Sequence, residues 1–310
     1  MEIAETCQQV ADVLSTELDQ CDLPSSFRPL IEMPLRQRGK ALSGDPDPRW
    51  PRLVLSTCIA TGGDLSVGVR VAAAVEAFLA GADVIDDIQD GDQSPFVDSV
   101  GRPQALNAAA ALLVLAHAIL SRLGEHGVPL HRVPHFTRVL SDGALRAAGG
   151  QHLDLVAEGS RSIGPSEAYA IVQAKAGALG GMATRLGGLV GTDDAALLDL
   201  YEAFGTHIGV IAQINNDLHD AQWAHRKSDL VREKRTLPLV YRSSSRHESS
   251  MRADEEPDDF TIDSETRAFI QVVLTAELHR ARAVVDALAD QGQNVAPLVQ
   301  LLDFRDVEQL

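Results

Sequence analysis

Residues 66–90 read SVGVRVAAAVEAFLAGADVIDDIQD, Ala-rich, without two-residue alternation, and apolar nearly all round a helical wheel. A helix with no wettable face has to be enclosed by other helices. Ala and Leu, which dominate this and several other stretches, are the strongest helix formers. Reading the rest of the chain for the same period predicts helices over 2–18, 66–90, 104–123, 133–148, 167–189, 195–220 and 264–291. Strand-like alternation is scarce and no internal repeat is visible. The expected fold class is therefore all-α: one helical-bundle domain over residues 1–310. Gly62-Gly63-Asp64, Pro95, Pro103 and Gly164-Pro165-Ser166 punctuate the helices, with Ser166 as an expected N-cap. The Ser-, Glu- and Asp-rich stretch 243–259 has little to bury and is expected to be a mobile surface loop.

Charge and cysteine content narrow the function classes. Against 27 Lys and Arg stand 44 Asp and Glu, a net charge of −17. That balance repels nucleic acid and anionic membranes, so no nucleic-acid partner is expected. No long uncharged apolar run flanked like a membrane span is read, and no secretory leader. Cys7, Cys21 and Cys58 are odd in number and scattered, with neither metal spacing nor a disulfide pattern, and a cytoplasmic location is expected.

In a bundle of buried helices each polar group needs a reason. Two acidic clusters stand out because each ends a long apolar helix. In the first, Asp86-Asp87-Ile88-Gln89-Asp90, Asp86 and Asp90 stand one turn apart on one face, where like charges repel unless a cation intervenes. Mg²⁺ takes oxygen ligands and bridges readily to phosphate. In the second, Gln213-Ile214-Asn215-Asn216-Asp217-Leu218-His219-Asp220, Asn216 and Asp220 form the one-turn pair, with Gln213 on the same side. Facing each other in a bundle core, the two clusters would make a carboxylate-lined cation site. Lys175, inside an otherwise apolar helix, needs an anionic partner, and Lys227 and Lys234 follow the second cluster. A diphosphate held by Mg²⁺ and lysines is a better leaving group, because its developing charge is already matched.

Taken together, these residues resemble the trans-isoprenyl diphosphate synthase family. The family's DDxxD motif matches Asp86, Asp87 and Asp90. Its Gly-Gln-x-x-Asp-Leu stretch matches Gly150, Gln151, Asp154 and Leu155. Its Lys-Thr lysine matches Lys175, with Ala176 for the Thr. Its second acidic motif matches Gln213, Asp217 and Asp220, with Asn216 at the first Asp. Its Lys-x-x-Thr-Leu-Pro-Leu tail resembles 233–239. The resemblance implies a bundle around a central active-site cavity, a homodimer, and Mg²⁺, three ions with substrate bound. Asp86, Asp87, Asp90, Asn216, Asp217 and Asp220 would be the metal ligands, and Asp86, Asp87, Asp90, Lys175 and Gln213 the catalytic set. Lys175, Lys227, Lys234 and Gln151 would hold a prenyl diphosphate substrate. Gly81 and Ala82, one turn before DDxxD, would line the prenyl tunnel, with Phe78 a turn further down.

The departures from the family pattern are selective. Its Gly-Gly-Lys-x-x-Arg-Pro motif becomes Gly39-Lys40, an insertion, then Arg49-Trp50-Pro51-Arg52, and its Arg pair after DDxxD becomes Ser99-Val100. The residues that ionise an allylic diphosphate survive, while those that clamp a second diphosphate are largely replaced, and an Arg–phosphate fork has no substitute in Trp or Val. The expected reaction is thus Mg²⁺-dependent ionisation of a farnesyl- or geranylgeranyl-class diphosphate without isopentenyl diphosphate, giving a cyclised or quenched terpene as in terpene synthases. The alternative is a trans-prenyltransferase, either chain-elongating or using a non-isoprenoid acceptor such as a peptide tryptophan. A non-catalytic regulatory subunit is the remaining reading.

Overall fold

The computed structural model describes residues 3–91, 94–158, 163–223, 235–249 and 262–303, with no strand among them. The helices are α1 (Ile3–Gln20), α2 (Arg28–Leu35), α3 (Arg49–Ala60), α4 (Leu65–Asp90), α5 (Pro95–Val100), α6 (Arg102–Ser121), α7 (Val133–Glu158), α8 (Pro165–Val172), α9 (Ala178–Gly191), α10 (Ala195–Trp223), α11 (Leu237–Ser249), α12 (Ser264–Asp290) and α13 (Ala296–Val299). The all-α expectation holds. The chain divides into two compact units. One comprises Met1–Ser141, Ala183–Tyr201 and Leu288–Leu298, and the other Asp142–Met182, Glu202–Ala287 and Val299–Leu310.

The first unit is organised around α4, whose residues from Val71 to Ala80 are essentially inaccessible to solvent. Its start is fixed by Asp64, whose carboxylate accepts from the Ser66 N–H at 2.8 Å, and its end by Gly91, whose φ of +67° suits a residue without a Cβ. α4 packs against α1, α3 and α6. At Gly81 a Cβ would stand 2.9 Å from the Ala109 carbonyl oxygen, so this glycine sets how closely α4 and α6 approach. The buried Glu17 of α1 is matched by two guanidiniums, Arg70 at 3.3 Å and Arg122 at 2.6 Å. A buried carboxylate without such partners would be strongly destabilising.

The second unit depends on glycines to bring backbones together. A side chain at Gly180 would collide with the Gly205 carbonyl, and one at Gly209 with the Ala176 carbonyl, so α9 and the turn before it lie directly against α10. Gly150 of α7 meets the backbone of Ala174 and Lys175 in the same way. The single helix expected over 167–189 is divided: α8 gives way to a π-helical turn, Gln173–Gly177, before α9 resumes. Such wide turns are rare and concentrate at functional sites. α8 starts at Pro165 rather than Ser166, and the Glu167 carboxylate accepts from the Gly164 N–H at 2.8 Å.

Two further expectations change. Residues 243–249 of the expected loop are helical, as the last part of α11, because Leu237 and Val240 anchor that helix in the core; residues 250–259 lie outside the described residues. And three helices, Leu65–Asp90, Arg102–Ser121 and Ala195–His219, are by length and composition alone apolar enough to cross a membrane, with 78%, 44% and 44% of their most apolar windows buried within the protein.

Candidate active site

The first acidic cluster occupies the last turn of α4. Asp86, Asp87 and Asp90 are all half-buried. Carboxylates at a helix C-terminus face the negative end of the macrodipole, which disfavours their charge. Asp86 and Asp90 supply hard oxygen donors one turn apart. Among the described residues no group of three or more His, Cys, Asp or Glu closes into a metal cage. Oxygen donors so spaced are of the kind Mg²⁺ takes when water and phosphate complete its shell. One turn upstream, Asp83 accepts from Lys40 at 2.5 Å, and Lys40 is itself buried. Burial pushes the Lys40 ammonium down, but Asp83 and Glu76 more than offset this and hold it above its usual range. The lysine of the family-like Gly39-Lys40 thus already has a carboxylate. Deeper on α4, Glu76 is fully buried. Its Oε1 accepts from the Ala41 N–H at 2.8 Å, its Oε2 has no partner among the described residues, and burial pushes its carboxyl up. Phe78 is buried and Ala82 half-buried. Gly81 faces α6, where its missing side chain is already accounted for by the Ala109 carbonyl.

The second cluster is organised differently. On α10 Gln213 donates from Nε2 to Asp217 Oδ1 at 2.7 Å, and Asp217 is buried. Asn216 is exposed. Asp220 lies on α10 with its side chain outside the described set, and Lys227 and Lys234 lie outside the described residues. Lys175 projects from the π-helical turn and meets Asp154 of α7 at 3.3 Å, with Gln151 half-buried one turn before that aspartate. The anionic partner demanded by a lysine in an apolar helix is therefore present within the protein, in the Gly-Gln-x-x-Asp-Leu stretch.

A network in the same unit went unread in the sequence. Glu277 of α12, fully buried, accepts from Tyr169 Oη at 2.6 Å, lies 2.8 Å from His207 Nδ1, and is also bound by Arg280. Burial draws the Glu277 carboxyl up, and the hydrogen bonds from His207 and Tyr169 bring it to a net position below the usual range. Gln173, in the π-helical turn, donates to Tyr169 Oη at 3.1 Å. The available signal was Tyr169 in an apolar helix, since a buried hydroxyl needs a partner; nothing local pointed to Glu277, which is more than a hundred positions away.

Against this geometry, the profile of the polyprenyl synthetase family matches residues 49–264. The chain is 27% identical over 255 residues to farnesyl diphosphate synthase of Geobacillus stearothermophilus, covering 76% of this chain and 82% of that protein. It is 31% identical over 210 residues to geranylgeranyl diphosphate synthase of Mycobacterium tuberculosis, covering 64% of this chain and 59% of that protein. Among solved structures, geranylgeranyl pyrophosphate synthetase from the archaeon Geoglobus acetivorans superposes with a TM-score of 0.74 at 22% identity, covering 97% of this chain and 96% of that one.

Proposed function

Since the chain belongs to the polyprenyl synthetase family, we propose that it is a prenyltransferase that ionises an allylic prenyl diphosphate and joins the prenyl group to isopentenyl diphosphate. The terpene-forming reaction expected from the sequence gives way to this chain-elongating reading. The observation that carries it is the match over 49–264, which takes in Asp86-Asp87-Ile88-Gln89-Asp90, Lys175 and Gln213 to Asp220 in the family's order. The single-domain reading is kept within the proposal, because that match runs through both compact units.

In the proposed reaction the C1–O bond of the allylic diphosphate breaks and its electron pair leaves with the diphosphate. The acceptor double bond attacks C1, and a proton is lost from the neighbouring carbon. Mg²⁺, three ions in the family-like arrangement, would neutralise the leaving group. Asp86 and Asp90 would hold Mg²⁺ from α4. Within the second unit Gln213 orients Asp217, a further candidate ligand, and Lys175, paired with Asp154, would match the charge of a departing diphosphate. Ala82 is small enough to admit a farnesyl or geranylgeranyl tail, with Phe78 as the floor. A homodimer is supported by apolar side chains left exposed, Leu106 and Val114 on α6 and Leu145 and Val156 on α7. Three free thiols favour the cytoplasm.

A second reading, ionisation without isopentenyl diphosphate, is favoured by one observation: Lys40 is taken by Asp83, while Ser99-Val100 offers no guanidinium. Diphosphate release measured with Mg²⁺ and each allylic diphosphate separates the two. The proposal expects release to rise at least about tenfold when isopentenyl diphosphate is added. Release that is equally fast without it would overturn elongation in favour of the second reading.

A further inference from the structure

Glu277 is fully buried in the second unit, and the reaction above gives it no task. A buried charge is kept only where its partners offset the loss of water, and here those partners lead to the turn that carries Lys175. The Tyr169 hydroxyl is the junction. It donates to Glu277 Oε1 at 2.6 Å and accepts from Gln173 Nε2 at 3.1 Å and from Arg280 at 3.2 Å. That uses its one proton and both lone pairs. Burial and the Glu277 carboxylate push the hydroxyl up to about 12, so it remains a donor at neutral pH. His207 Nδ1, 2.8 Å from Glu277 Oε2, ties the same carboxylate to α10. Helices α8, α10 and α12 thus converge on one charge.

Gln173 is where the helix changes character. Its N–H still reaches back four residues to the Tyr169 carbonyl, whereas its own carbonyl accepts from the N–H of Ala178, five residues on. The widening therefore starts at a residue whose side chain is pinned. Backbone packing holds the turn on its other sides. A Cβ at Gly150 of α7 would stand 2.4 Å from the Lys175 nitrogen, and one at Gly177 would stand 3.1 Å from the Thr206 side chain of α10, next to His207. Releasing the turn to a regular helix would rotate the positions after it by about 100°, one residue's worth of helix. Gly180 would leave the α10 backbone, and the turn bearing Lys175 would shift with it.

We propose that Tyr169 is a positioning residue: its hydroxyl, fixed by Glu277, pins Gln173 and so holds the π-helical turn in the form that presents Lys175 to a departing diphosphate; the inference rests on the role given to Lys175 above. Glu277 and His207 act one step further back, by fixing Tyr169.

The test is steady-state kinetics with Mg²⁺, isopentenyl diphosphate and an allylic diphosphate, paired with hydrogen–deuterium exchange of the backbone amides. Tyr169→Phe removes the hydroxyl and keeps the ring. It should lower kcat about tenfold and leave KM for the allylic substrate unchanged, the mark of an interaction made in the transition state. Gln173→Met, which does not touch Glu277, should lower kcat about threefold in the same manner. Amides 174–178 should exchange faster in both variants, with those of α10 unchanged. In a Lys175→Gln background neither variant should lower kcat further, because the lysine they position is gone. Ala170→Gly, which weakens α8 at an exposed neighbour of Tyr169 outside the network, should keep wild-type kcat. Wild-type kcat in Tyr169→Phe, a loss that multiplies fully in the Lys175→Gln background, an equal loss in Ala170→Gly, or unchanged exchange over 174–178 would overturn the assignment. Faster exchange over 174–178 in a chain that releases diphosphate from no allylic substrate removes the role of Lys175 in ionisation and leaves the pinned turn standing.

Discussion

The acidic end of α4 and the Lys175–Asp154 pair of the second unit are built by opposite means. At α4 the carboxylates follow from one helix: Asp86 and Asp90 are neighbours because they are four residues apart, and Gly91 stops the helix behind them. In the second unit Gln213 and the buried Asp217 are again four residues apart on one helix, but the pairing of Lys175 with Asp154 is tertiary, made where Gly150, Gly180 and Gly209 let backbones touch around a π-helical turn. The buried carboxylates of the two units contrast in the same way. Glu76 has one donor and is pushed towards its neutral form, while Glu277 has three and is held ionised. A cluster written on one helix tolerates remote changes; one assembled from close backbone contacts does not.

The largest effect is expected at the α4 cluster. Asp86→Ala or Asp90→Ala should lower kcat by about a thousandfold or more, the scale of losing metal stabilisation of a leaving group. The fold should be unharmed, since the change relieves charge at a helix C-terminus. Steady-state rates and a thermal melt check both halves, and near-normal turnover in both variants would sink the metal assignment.

Next comes the contrast in remote sensitivity. Gly209→Ala should cost about 1–3 kcal/mol, because its methyl group meets the Ala176 carbonyl. It should also lower kcat, by displacing the turn that carries Lys175. Gly91→Ala, at a positive φ with open space around it, should cost about 1 kcal/mol and leave kcat nearly unchanged. Equal kinetic effects from the two would break the distinction between the regions. Gln213→Leu, which removes the hydrogen bond to Asp217, should reduce kcat about tenfold, the scale of one charge-assisted hydrogen bond.

The smallest effects are in pH dependence, and they have opposite sign. The folded-state pKa of Glu76 is raised, so its contribution is present below the unfolded carboxyl pKa and lost as pH rises through the folded one. Glu76→Gln should therefore gain about 1 kcal/mol relative to wild type at neutral pH and nothing in acid. The folded-state pKa of Glu277 is lowered, so its contribution is present above the unfolded pKa and lost as pH falls through the folded one. Glu277→Gln should be destabilised by about 1–3 kcal/mol at neutral pH, the gap closing in acid. Denaturant melts across pH check the pair; slopes of the same sign would contradict the contrast.

What the sequence disclosed follows the same division. Period and composition located α1, α4, α6, α10 and α12, because each carries many turns of pattern, and α7 only in part, since it runs on to Glu158 beyond the expected end at 148. They missed α2, α3, α5, α11 and α13, whose stability comes from docking rather than from propensity. They could not show the π-helical turn, since the same residues fit an unbroken helix. The aspartates of α4 stood out from spacing alone, whereas Asp154 was read only as part of a family-like motif and Lys175 only as a diphosphate ligand, so the pairing of the two was not legible. Lys40 as the partner of Asp83, and Glu277 with Tyr169 and His207, were not legible, because each joins residues far apart in the chain.

The most direct test of prenyl transfer puts the label in the acceptor. The protein is incubated with Mg²⁺, unlabelled farnesyl or geranyl diphosphate and labelled isopentenyl diphosphate, and products are extracted before and after phosphatase treatment. Transfer predicts label in a longer prenyl chain that enters the organic phase only after phosphatase treatment. Label remaining wholly in isopentenyl diphosphate, while an unlabelled hydrocarbon or alcohol accumulates without phosphatase, would contradict it.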